Sequence, residues 1–455
     1  MGKKQPAPGK RRRLKVSHII ILLLLIGAGA FTLYRLNLKK HLNARIETIR
    51  AAGYPVTCAE LDRWYSIPND VENAAYIIMD AFDCYQEPQN AKLLPVVGKG
   101  ELPARTQPLD EKTMKLIWQY LDGNQQTLKI LHEAAKVENS RYPIDLSLGF
   151  ETLSPYLTDI RRCSFLLELE AFYSAENNKQ DIAVQSIKSI FGVARSLAEE
   201  PVTVSQLVRV SCQVVAVSIL ERIIDRTNLT DEQFADLFQV VTSDQDQSAS
   251  GILRALVGER CQALSIFKNP VILNNDLVGH NIPPKPILEA YKALGFADMD
   301  AIEYLDMMNS YIKAAQVPPY LRQDAVKAVE LKHGSIPKRR ILLRAFVPKF
   351  SRIIALDLRN ISGLRTAQAA IAVQRYRLAS GRLPETLKDL VPDYLEEVPL
   401  DPFDGKELRY KKLETGYVIY SIGEDLKDDG GVEMPSSGKE RQRNPNWDIT
   451  FIVER

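Results

Sequence analysis

The chain is poor in the residues that build common catalytic centres. It has five cysteines, Cys58, Cys84, Cys163, Cys212 and Cys261, and no C-x-x-C pair, which excludes a zinc ribbon and a thioredoxin-type redox site. Histidines also number five. "LHEAAK" at 131–136 opens like a helical zinc motif, but Lys136 stands where a second histidine must lie to share one helix face. "VVGKGE" around Gly98-Lys99 lacks the earlier glycine and the following Ser/Thr of a phosphate loop. No G-x-S-x-G nucleophile turn occurs. A net charge of +2 over 455 residues lacks the basic excess of a nucleic-acid binder, so no nucleic acid partner is expected. The enzymatic alternative is a hydrolase whose acids meet only in space.

Long apolar runs are scarce too, and the single one is informative. Residues 1–15, "MGKKQPAPGKRRRLK", hold seven Lys/Arg and no acid. Val16–Tyr34 then gives 19 residues without a formal charge if His18 is neutral; at ~1.5 Å per residue this is about 28 Å, a bilayer core. A transmembrane helix over 16–36 is expected, with 1–15 a basic cytoplasmic N-terminus by the positive-inside rule. The bulk of the chain then lies outside the cytoplasm, in a periplasm-like space. The alternative is a cleaved signal peptide, since Ala28-Gly29-Ala30 fits a small-x-small site. The apolar continuation to Leu33 and Tyr34 suits an uncut anchor better. Either reading exports the protein, where Cys58 and Cys84, flanking one polar stretch, are the cysteines open to pairing.

The exported part, 45–345, reads as helical. Gly53 stops the first helix, Thr57 with Glu60 has capping-box spacing, and Thr230 followed by Glu232 and Gln233 starts another helix. Apolar residues recur at three and four: Ile160, Cys163, Leu167, Ala171; Ile187, Ile190, Ala194, Leu197; Leu207, Val210, Val214, Val217. Residues 86–108, rich in Pro, Gly and Lys, read as a long surface loop. No fixed repeat period appears, so a bundle and a solenoid both fit. "KHGSIPKRRILLRAFVPK" mixes cations with apolar residues, as a connector or as a segment lying on an anionic surface.

The texture changes in 350–455. Ile361, Leu364, Ala367 and Ile371 mark a helix face stopped by Gly381, and "LPETLKDL" places Pro384 as a first-turn residue. "LRYKKLETGYVIYSI" reads as a hairpin and "DITFIV" as a third strand of an antiparallel sheet, an α+β arrangement. The order "AIAVQRYRLASGRLPETLKDL", "YLEEVPLDPFDGKELRY", "GYVIYSIGEDLKDDGG", "DITF" resembles the globular domain of the major pseudopilins of type II secretion systems.

That resemblance implies a calcium ion in the loop after the "YSIG" strand. Asp425 matches the loop aspartate, Asp428 and Asp429 the later acids, Ile422 a carbonyl ligand, and Asp448 a ligand returning from the last strand. Calcium takes six to eight oxygens, which clustered carboxylates and carbonyls supply. The chain departs from the family at Leu426, often glycine there. It also lacks a pilin leader site: "AFTL" at 30–33 ends the apolar run, with no glutamate following.

The expected fold is mainly α: a transmembrane helix, a helical bundle or solenoid-like body, and a small C-terminal α+β pseudopilin-like domain. The expected role is a membrane-anchored structural or interaction protein with partners in the cell envelope. An accessory component of a type II-like secretion system is the alternative.

Overall fold

The computed structural model describes residues 16–68, 70–273, 283–334, 336–347, 349–433 and 447–455, without the side chains of 246–249 and 272. The basic segment 1–15, and His280 with the stretch around it, lie outside the described residues.

The molecule is mainly helical. The apolar run forms the first half of α1 (Val16–Ala51), which continues unbroken into the body. Its first half is exposed along its length, at a mean hydropathy of 2.3, while Leu42, Ile46 and Ile49 in its second half are buried. By length and composition it suffices to cross a membrane or to serve as a signal sequence. Gly53 (φ 81°) lets the chain leave the helix. Thr57 and Glu60 then close a reciprocal capping box on α2 (Cys58–Trp64).

Helices α3 (Ala74–Cys84), α4 (Glu111–Gly123) and α5 (Gln125–Ala134) follow, with the expected helix-free loop between α3 and α4. α6 (Leu157–Glu176), α7 (Gln180–Arg195) and α8 (Thr203–Arg226) pack against one another. α9 (Asp231–Lys268) starts at the Thr230–Gln233 capping box and runs through the polar tract of the 240s. Beyond it lie α10 (Lys285–Ala293), α11 (Phe296–Gln316), α12 (Pro319–His333) and α13 (Ile341–Phe346). α9 is the hub, touching α2, α7, α8 and α11. Elements distant in sequence therefore meet on one helix, as in a bundle.

Two of the three expected apolar faces are buried as written, Ile160/Cys163/Leu167/Ala171 and Ile187/Ile190/Ala194/Leu197. The third is out of phase. Val214 is 53% exposed, and the inward side of α8 carries Gln206, Arg209, Cys212 and Gln213. Polar groups take that side because they are partnered there: Gln206 Nε2 donates to the Leu197 and Glu200 carbonyls, each at 2.8 Å, Gln213 Nε2 donates to Asp244, Asn360 Nδ2 donates to Gln213 Oε1 at 2.8 Å, and the carboxylates of Asp244 and Asp357 face Arg209. All five cysteines are free. Cys58 is buried and its thiol lies 3.5 Å from the Cys261 carbonyl, whereas Cys84 is only partly buried.

The last helix, α14 (Ser351–Ser380), ends at Gly381 (φ 71°). It packs on α8, α9 and α12 as well as on the sheet, and its residues 369–374 are buried all round. One hydrophobic core thus runs from Leu42 to Val453. "LPETLKDL" forms only a short 3-10 turn, Leu387–Leu390, capped by Thr386 and Asp389, so Pro384 lies before it. The sheet is β1 (Arg409–Lys412), β2 (Tyr417–Ser421) and β3 (Ile449–Val453), antiparallel, in the order β1-β2-β3. Tyr417 faces Lys412 on one side and Val453 on the other. The free edge of β3 is met by α8: Ile452 N–H donates to Glu221 at 2.6 Å and Glu454 N–H to Asp225 at 2.7 Å.

Candidate functional site

The acidic loop leaves the buried end of β2, and one residue outside it sets its position. Asp401 is fully buried. Its Oδ1 accepts from Phe403 N–H at 2.9 Å and Ser421 Oγ at 2.8 Å; its Oδ2 accepts from Ile422 N–H at 2.9 Å and from Arg409 at 2.5 Å. Arg409 also grips Asp404 and stands 4.0 Å from Asp428. Burial opposes charge on Asp404, yet Arg409 holds its carboxyl below the usual range. Asp401 and Arg409 thereby bind "DPFDG" to the root of the loop. Neither stood out in the sequence. The available signal was the pair of aspartates two residues before backbone N–H groups, a turn pattern.

Beyond Ile422 the chain turns repeatedly through left-handed conformations: Gly423 (φ 71°), Leu426 (φ 60°), Gly430 (φ 77°) and Gly431 (φ 73°). Gly431 leaves no room for a side chain, since a Cβ would lie 2.7 Å from the Tyr420 ring. The carboxylates divide into groups. Glu424 turns toward α14 and pairs with Arg359 at 3.1 Å. Asp425 accepts from Lys427 N–H at 3.1 Å, with Lys427 Nζ 3.8 Å away. Asp428 accepts from Gly430 N–H at 2.9 Å.

Asp448, at the foot of β3, is 3% exposed, and its Oδ2 accepts from Gly431 N–H at 2.9 Å. Its Oδ1 is buried and has no hydrogen bond of normal geometry among the described residues, although the Asp429 N–H, like that of Gly431, steadies the carboxylate. Burial, then the charges of Asp429 and Asp428, push this carboxyl above the ordinary aspartate range. The structure therefore brings Asp428, Asp429 and Asp448 into electrostatic reach, while Asp425 engages its own turn. Among the described residues, no three His, Cys, Asp or Glu side chains already stand grouped to hold a metal ion.

The body contains a constellation of hydrolytic type. His132 Nδ1 lies 2.8 Å from Ser189 Oγ, and its Nε2 lies 3.0 Å from Glu170 Oε2. Ser189, however, is fully buried in the middle of α7, so no substrate carbonyl reaches its hydroxyl. The trio ties α5, α6 and α7 together. Glu200 is likewise buried and satisfied, accepting from Tyr65, Tyr156 and Ser205. The cavity beside Gln206, Arg209, Gln213 and Asp357 measures about 20 Å³, room for a single water.

Comparison with protein-family models, with curated proteins and with solved structures returns no match.

Proposed function

We propose that this protein is an exported, membrane-anchored structural or interaction protein that presents a pseudopilin-like, calcium-responsive terminal module to partners in the cell envelope. The observation that carries the reading is the continuity of α1, whose exposed apolar half passes without a break into a half buried in the body. Leu42, Ile46 and Ile49 would fasten whatever the first half inserts into.

The order long helix, hairpin, acidic loop, returning strand supports the pseudopilin resemblance, as does Leu426, which adopts a backbone favoured by glycine at the position where that family often has glycine. The buried Oδ1 of Asp448 supports a cation there, with Asp428 and Asp429 beside it and Asp425 and the Ile422 carbonyl as further oxygens. α14 is covered by α8, α9 and α12, which favours a partner-binding role over assembly of the helix into a pilus.

Fractionation tests the anchor. The full chain should stay in the membrane pellet through salt and alkali, and a reporter fused after Arg455 should be active only outside the cytoplasm. Cytoplasmic activity of that fusion would reverse the topology, and release of a soluble form beginning near Phe31 would establish cleavage instead.

A further inference from the structure

Helices α1 and α11 run in the same direction, and this fixes which end of the body faces the apolar segment. Arg35 pairs with Asp298 at 2.9 Å, Arg45 with Asp306 at 3.0 Å, and Gln316 Nε2 donates to Tyr54 Oη at 3.2 Å. Residue number thus climbs along both helices together. Arg35 directly follows the charge-free run, so the start of α11, and the Leu294–Gly295 turn before it, stand at the end of that run. The contact is close: Gly295 has φ 90°, and a Cβ there would come 2.2 Å from Arg35 Nη1. Tyr34 Oη donates to Met299 Sδ at 3.0 Å.

The segment 339–343 lies at the same level. Arg340 pairs with Asp300 at 3.0 Å, Tyr291 Oη donates to the Arg339 carbonyl at 3.0 Å, and Leu343 N–H donates to Asp300 at 3.1 Å. This end of the body is basic. Lys285 and Lys292 on α10, with Lys338, Arg339 and Arg344, are all exposed, and none forms an ion pair among the described residues. Ile287 (51% exposed) and Leu294 (50%) stand among them. Acids at this level are mostly engaged: Asp298 with Arg35, Asp300 and Glu303 with Arg340; Glu289 is the one acid of α10.

We propose that this end of the body seats on the headgroups of anionic phospholipids, with Lys285, Lys292, Lys338 and Arg339 against the phosphates and Ile287 and Leu294 entering the interface. The inference rests on α1 acting as an anchor. Given that, lipid is the occupant the geometry selects, because the helix that crosses the bilayer holds this surface against it. Unpaired cations supply the charge complement, and exposed aliphatic residues flanked by lysines are the pattern of an interfacial helix.

The test uses the full-length chain in nanodiscs of phosphatidylcholine, with or without phosphatidylglycerol, read by amide hydrogen exchange. Amides of 285–294 and 336–347 should exchange at least about fivefold more slowly in the anionic discs, the weight of about one basic residue near such a surface. High salt should erase the difference, as should the combined variant Lys285→Glu, Lys292→Glu, Lys338→Glu, Arg339→Glu, while α8 and α9 amides stay protected and show it folded. Equal exchange in the two disc types, with the chain retained in both, overturns the proposal and leaves the anchor standing. Lipid-dependent protection that survives in the variant overturns the assignment to these residues. A chain that does not stay in the discs at all overturns the anchor and this surface together.

Discussion

Asp401 offers the sharpest test of how the acidic loop is held. In Asp401→Asn the shape is kept, but one carboxylate oxygen becomes an amide NH₂. Turned toward Oδ2's partners, that NH₂ meets the Ile422 N–H and Arg409, two donors. Turned the other way, it meets the Phe403 N–H, while the Ser421 hydroxyl can rotate to accept. The second arrangement costs less, leaving one backbone donor unsatisfied and Arg409 short of one charge. Arg409 retains Asp404. The loss should therefore sit near the low end of the range for breaking a buried pair, about 3 kcal/mol. Asp404→Asn, on a less enclosed partner, should cost about 1 kcal/mol. Native-state hydrogen exchange at β2 amides reads this directly, as a fall in local opening free energy. Opening free energies within about 0.5 kcal/mol of wild type would refute the claim that Asp401 anchors the loop.

Three further outcomes are expected. The full chain should melt higher in millimolar calcium than in chelator, since binding to the folded state alone adds stability. Magnesium should substitute poorly, and Asp448→Asn or Asp425→Ala should blunt the response more than Glu424→Ala, because Glu424 is committed to Arg359. Leu426→Gly should raise the melting temperature: a leucine at φ 60° is strained by about 1 kcal/mol, its side chain is half exposed, and the entropy of glycine offsets only part of the relief. Glu168 gives a pH signature. Burial pushes its carboxyl from 4.5 up to about 7, so the folded state binds this proton more tightly than the unfolded chain, and its contribution falls as pH rises across that window. Glu168→Gln should match wild type near pH 4.5 in thermal melts and exceed it at pH 8 by up to about 3 kcal/mol.

The helical class, the apolar segment, the Thr57–Glu60 capping box and the three strands were legible because each is a local pattern. Thr57 and Glu60 need only a spacing of three positions and water outside. The phase of α8 was not legible. Its inward side carries Arg209 and Gln213, tolerable in a core because Asp244, Asn360 and Asp357 arrive from α9 and α14, more than thirty residues away, and Gln206, which donates to the Leu197 and Glu200 carbonyls of the turn before the helix. A rule that sends valines inward chooses the other side. The acidic loop was visible as composition, but its division was not. Glu424 leaves for Arg359, and Asp448 acquires its buried oxygen through the return of β3; both depend on long-range packing.

The same packing bears on how a signal at the loop would travel. α14 is at once the backing of the sheet and a core helix against α8 and α9, and Glu221 and Asp225 of α8 receive the N–H groups of the β3 edge. Arg105, from the loop between α3 and α4, closes the ring by pairing with Glu221, Asp225, Glu433 and Glu454. A hinge needs a place where few contacts cross, and here the core is continuous from α1 to β3. Occupation of the acidic loop should therefore stiffen residues 401–433 in place rather than swing the sheet on the body. Hydrogen exchange would show this as added protection in the loop and β2, with α8 and α9 unchanged. A calcium-dependent rise in exchange along α8, where β3 is held, would show that the sheet separates and would refute the rigid reading.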